Sequence, residues 1–109
     1  MTELPLERLE IEMMASGLES LRLTDRVQWE DFPEYASAVI TLLGGTIVAR
    51  AGAPTERVWT TSVQGCLFWI SLDDFGLGVA LDRQNADGAR LIPEIRRILL
   101  GSRGAAKQS

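Results

Sequence analysis

Residues 57–82 read RVWTTSVQGCLFWISLDDFGLGVALD, and this stretch decides the fold. It holds three runs rich in β-branched, aromatic and aliphatic residues, at 57–63, 66–72 and 77–82. Such residues favour extended chain. Gln64-Gly65 separates the first two runs and Asp73-Asp74-Phe75-Gly76 the last two, with glycine and aspartate supplying turn chemistry. Connections this short join antiparallel neighbours, because a parallel pair needs a crossover of a dozen or more residues. A fourth run, 46–51, comes before them across Gly52-Ala53-Pro54-Thr55-Glu56 and extends the same sheet.

Alternation assigns the faces. Cys66, Phe68, Ile70 and Leu72 lie opposite Leu67, Trp69 and Ser71; Leu77, Val79 and Leu81 lie opposite Gly78, Ala80 and Asp82. Trp59, Thr61 and Val63 similarly oppose Val58, Thr60 and Ser62. A strand apolar on both sides is ordinarily covered on both. The Phe68, Ile70 and Val79 side is expected beneath helices, which leaves Leu67 and Trp69 on the far side. Whether Trp59 joins them depends on strand register. Trp59, Leu67 and Trp69 are thus the candidate interaction residues. Their cover is residues 1–28 or the 52–56 loop folded back, another protein chain, or a small ligand in a pocket.

Upstream, Asp31 and Glu34 have capping-box spacing, and Pro33 falls in the first turn of a helix. Phe32, Tyr35, Ala36, Val39, Leu42 and Leu43 then form one apolar stripe, and Gly44-Gly45 stops it. Residues 6–14 can be read two ways. Leu9, Ile11 and Met13 alternate with Glu10 and Glu12 as on a strand, yet Glu, Leu and Met are good helix formers. The matching alternation of Leu21 and Leu23, with Ser16-Gly17 between, favours a hairpin.

Downstream, a second helix follows Asn85 or Asp87, with Ile92, Ile95 and Leu99 on one face and Leu91 and Ile98 beside them. Proline inside a helix costs ~3 kcal/mol. Pro93 therefore places the regular start near Leu91. Gly101 is expected to end this helix, leaving 102–109 as a flexible tail. The resulting order is ββαββββα. It predicts a single α+β domain over 1–101, a two-layer sandwich with an antiparallel sheet and two helices on one face.

Composition narrows the chemistry. The chain has 109 residues, 46% of them hydrophobic and 24% charged, in the range of an ordinary globular domain. Cys66 is the single cysteine, so no intrachain disulfide forms. No apolar run approaches a membrane span, and the acidic N-terminus lacks the basic start and apolar core of a signal peptide. A cytoplasmic location is expected. Histidine is absent, which excludes serine triads, cysteine–histidine dyads and ordinary zinc sites in their standard forms. An enzyme built here would rely on carboxylates, arginine, Lys107 or Tyr35.

The net charge of −4 is unevenly spread. Residues 1–82 carry 13 acids and 5 bases, whereas 83–109 carry 2 acids and 6 bases. An acidic body lacks the cationic surface that neutralises phosphates, so nucleic acid is not an expected partner. Arg83, Arg90, Arg96, Arg97, Arg103 and Lys107 form the basic end, read as a solvated helix face and tail.

Several short motifs reduce to structure. Asp74-Phe75-Gly76 matches the magnesium triplet of protein kinases without the loops that accompany it, so it reads as a hairpin turn. Asp73 and Asp74 are adjacent and would point to opposite faces of a strand. In 83–94, Asn85, Asp87, Gly88 and Glu94 fall at calcium-loop positions, but Arg83 stands where the first carboxylate belongs. Gly44-Gly45-Thr46 lacks the lysine and spaced glycines of a phosphate loop. No metal or cofactor is expected.

The spacing Trp29-x-x-Phe32-x-x-Tyr35-Ala36, followed by Trp59, Gly65-Cys66 and Asp73-Asp74-Phe75-Gly76, resembles a family of small bacterial proteins carried only as a domain of unknown function. The resemblance covers roughly 18–100. It implies an α+β domain and carries no activity, catalytic residue or cofactor with it. The expected function is a non-enzymatic interaction domain that uses the apolar sheet face for homodimerisation or for a protein partner. An acidic chaperone-like or immunity-type protein would be of this kind. A small-ligand or carboxylate-based enzymatic domain, built on Asp73, Asp74 and Asp82, is the alternative.

Overall fold

The hairpin signals resolve into a six-stranded sheet in a computed structural model that describes residues 4–53, 56–73, 78–84 and 86–108. The strands are β1 (Glu10–Met13), β2 (Glu19–Thr24), β3 (Thr46–Ala53), β4 (Glu56–Val63), β5 (Cys66–Asp73) and β6 (Gly78–Arg83). Helix α1 (Phe32–Leu42) lies between β2 and β3, and α2 (Leu91–Gln108) follows β6. Across the sheet the order is β1-β2-β6-β5-β4-β3, with every neighbouring pair antiparallel. The protein is α+β. The proposed turn at Asp74-Phe75-Gly76, and Asn85 as a helix cap, lie outside the described residues.

The ambiguous N-terminal segment is a strand over its second half. Ile11 pairs with Leu21, and the Met14 amide donates to the Leu18 carbonyl at 2.9 Å to close the hairpin. Gly17 permits this turn through its φ of +86°. Residues 4–9 run differently. Leu6 and Leu9 are buried in the same core as the helices, and the Tyr35 hydroxyl donates to the Pro5 carbonyl at 2.7 Å. Burial first, and then the Glu7 carboxylate, push the Tyr35 phenol well above its usual range. Tyr35 is thus a core residue holding down the N-terminal segment.

Glu7 is the second anchor of that segment. It accepts from the Thr24 hydroxyl at 2.6 Å and from the Asp25 amide at 2.8 Å. Burial alone would raise this carboxyl; the Asp25 amide, the Thr24 hydroxyl, its own amide and Arg26 together hold it below its ordinary value.

One core serves both helices. Phe32, Tyr35, Ala36, Val39 and Ile40 of α1 join Leu91, Ile92, Ile95 and Leu99 of α2. The sheet contributes Leu21, Trp59, Val63, Phe68, Ile70 and Leu81 to the same cluster. The stripe on α1 is rotated from the expected one: Ile40 is buried, while Leu42 is 39% exposed. The expected capping box is also not made. Asp31 belongs to a 3-10 turn, Trp29–Asp31, and already has helical backbone angles, so its side chain makes no capping bond.

The two helices end differently for a visible reason. Gly44 adopts φ +69°, and the amides of Gly44 and Gly45 reach back to Thr41 and Ile40 at 3.0 and 2.9 Å. Gly101 has no such positive φ, and α2 continues through it to Gln108. The expected stop at Gly101 is therefore corrected: residues 91–108 are continuous helix. Glycine inside a helix costs only about 1 kcal/mol, and no proline follows to break it.

Candidate functional site

Strand register places the candidate residues. Trp69 pairs with Thr60 of β4 and Asp82 of β6, and Leu67 pairs with Ser62, so these share the face turned away from the core. Trp59 pairs with Ile70 and is only 7% exposed. Its ring meets Phe32 of α1 edge-on at 5.6 Å. Trp59 as a neighbour of Trp69 on the far face is therefore corrected: it is a core residue, because odd positions of β4 oppose even positions of β5.

Leu67 and Trp69 are 40% and 45% exposed, and neither belongs to the buried core. Among the described residues, the N-terminal segment that could have covered them packs with the helices instead.

The pairings generate one row that crosses the whole sheet: Glu12, Ser20, Asp82, Trp69, Thr60 and Ala49. The adjacent row is Glu10, Arg22, Ala80, Ser71, Val58 and Ala51. Small side chains lie beside long ones, and a hollow results. It is a trough of about 290 Å³ whose floor is Ser20, Ser71, Gly78 and Ala80 and whose sides include Met13, Met14, Glu12, Glu56, Arg22 and Asp82.

Asp82 is the titratable group of this trough. Its carboxylate accepts a hydrogen bond from the Ser20 hydroxyl at 2.6 Å. Burial raises its proton affinity, the Ser20 hydroxyl and Arg22 lower it, and the balance leaves the carboxyl above its ordinary value. The folded state thus binds this proton more tightly than the unfolded chain does, and its stability falls as pH rises from the unfolded value of 3.8 through the folded one. Asp82→Asn is accordingly expected to raise the urea midpoint at pH 7. The gain should disappear below about pH 3.8, where both states hold the proton. Equal gains at pH 3 and pH 7 would contradict this.

The other charged groups are dispersed. Arg22 is engaged by Asp25 at 3.3 Å, and Arg8 reaches Asp25 and Glu10, each at 2.5 Å. Arg83 is buried and pairs with Glu19 at 2.5 Å; Arg96 donates to the Leu9 carbonyl at 2.7 Å. Arg97 pairs with Glu94 at 2.5 Å on the outside of α2, and Arg90 is exposed. The side chains of Asp73, Arg103 and Lys107, and all of Asp74, lie outside those described. Cys66 is buried. Of the three carboxylates considered for catalysis, only Asp82 is shown on the trough.

Ser20, Arg22, Met13 and Met14 were not among the candidate site residues. Ser20 and Asp82 are 62 residues apart, and no local pattern joins them. The one available signal was the alternation of Leu21 and Leu23, which places Ser20 and Arg22 on the opposite face.

Among the described residues, no helix is long and apolar enough to cross a membrane. Fold and face together define a small α+β domain with an antiparallel sheet and a partly exposed, partly hollow surface. Residues 9–94 match the family model described as a protein of unknown function (DUF3630), and the chain belongs to that family. No curated protein and no solved structure matches it.

Proposed function

We propose that this chain is a non-enzymatic protein-interaction domain of the cytoplasm, and that the sheet face bearing Leu67 and Trp69 is where a partner or a second copy docks. The observation that carries this is the exposure of Trp69, 45%, at the middle of the row that crosses the sheet. Large apolar side chains exposed together mark interaction surfaces, and tryptophan is the side chain most often found at their energetic centre. The shared core of α1 and α2 supports both helices lying on the opposite side, which leaves this face free of them.

A photo-reactive amino acid placed at position 69 in the intact cell tests the reading. It is expected to give a discrete covalent adduct, while the same group at Arg97, exposed on α2, gives none. An adduct of twice the chain mass identifies a second copy. Matching adduct patterns at both positions, or none at 69, would sink the proposal. Leu67→Asp should remove the adduct and leave stability within about 1 kcal/mol, as expected for an exposed site.

A further inference from the structure

On the reading that the open face binds protein, we infer that the partner is basic: an arginine or lysine of a different protein enters the trough, its charge between Asp82 and the Trp69 ring.

Charge is the first support. Glu12, Glu56 and Asp82 border the trough against one cation among its described lining residues, Arg22, which is shared between Asp82 and the pair with Asp25. The trough is thus left with an excess of negative charge, and a positive side chain complements it. Shape is the second. The small floor residues Ser20, Ser71, Gly78 and Ala80 leave room for a long side chain, and Met13 and Met14 offer an apolar wall to its methylenes.

The tryptophans supply a third support. Arg50 lies over the Trp59 ring at 4.7 Å from its centre, and Arg57 over Trp29 at 4.8 Å. Trp69 is the remaining tryptophan, and among the described residues no cation covers its ring. It stands directly across from Asp82, roughly 5 Å away by strand spacing. A guanidinium there would meet an aromatic face and a carboxylate together.

A second copy cannot provide that cation by a two-fold contact. An isologous dimer presents the same face on both sides, and the described base on it is the engaged Arg22. The basic residues of α2 lie off this face, so a second copy could bring them only through a head-to-tail contact and not a two-fold one. A different protein with a basic segment fits the face without either difficulty.

The test titrates end-blocked tetra-arginine, tetra-glutamate and free arginine into the full-length chain at low salt, followed by amide and indole NMR. Tetra-arginine is expected to shift the Trp69 indole and the amides of Ser20, Ala80 and Asp82, with affinity that falls as salt rises. Asp82→Asn and Trp69→Leu should each weaken it by about tenfold, and Arg97→Gln should not. Glu56→Gln serves as a second charge variant if Asp82→Asn perturbs the fold. Shifts centred away from Trp69, equal binding of tetra-glutamate, or full affinity in the Asp82 and Glu56 variants would overturn the inference. Free arginine binding as tightly as the peptide would show a small-cation site and overturn the protein-segment claim. An adduct at position 69 without peptide binding would remove the basic partner yet keep the interaction face; no adduct would remove the face itself.

Discussion

Gly78→Ala is expected to destabilise the domain by roughly 3–5 kcal/mol, through left-handed backbone strain and forced overpacking together. Gly78 opens β6 with φ +73°, a conformation that side-chain-bearing residues adopt at a cost of about 1–2 kcal/mol. The second part is steric. A Cβ built there would stand 2.2 Å from the Thr24 carbonyl oxygen and 2.9 Å from the Asp25 Cα, both of them backbone atoms. Relief would require β2 and β6 to separate where Thr24 pairs with Val79, next to the shift in their register.

Gly17→Ala is the internal control. Gly17 has a similar φ of +86°, but a Cβ added there would meet nothing within 4 Å, so only the backbone penalty of about 1–2 kcal/mol applies. Urea unfolding of both variants separates strain from contact. Equal losses would show that the β2–β6 pairing yields to the methyl group.

The second large effect concerns two adjacent residues of β5. Phe68→Ala should cost about 3–5 kcal/mol, since Phe68 is fully buried in the shared core and its loss leaves a cavity. Trp69→Ala, one position along, should cost about 1 kcal/mol or less, because the ring is already half in water. Tryptophan is the larger side chain, so a scale based on size alone would order the pair the other way. Similar losses for both would mean that Trp69 is covered within the folded chain.

Much of the fold was legible because it rests on local chemistry. Gly65 at φ +81° and the alternation of β4, β5 and β6 fix hairpins within a few residues of each other. The faces of Phe68 and Trp69 followed directly from period two. The side taken by Trp59 did not, since it depends on how β4 is aligned with β5, and Gln64-Gly65 sets that alignment through turn geometry. The path of residues 4–9 was equally hidden. Its anchors, Tyr35 to Pro5 and Thr24 to Glu7, connect segments 30 and 17 residues apart.

The trough was the least legible part. Asp82 was visible as a polar residue on the far side of its strand, but a hollow is made by neighbours. Ser20 and Arg22 reach it only through the β2–β6 pairing, which no spacing within either strand announces.

That pairing also orders events in time. β3, β4, β5 and β6 are each hydrogen-bonded to their neighbour in sequence, so those hairpins close short loops and can assemble as they emerge. β2 must instead wait for β6, across the 62 residues that separate Ser20 from Asp82. During synthesis the N-terminal hairpin is made first and joins the sheet only once β6 is present. The floor and walls of the trough are therefore not assembled in any chain that stops short of β6, and a partner that requires them distinguishes a chain that has made β6 from a shorter one.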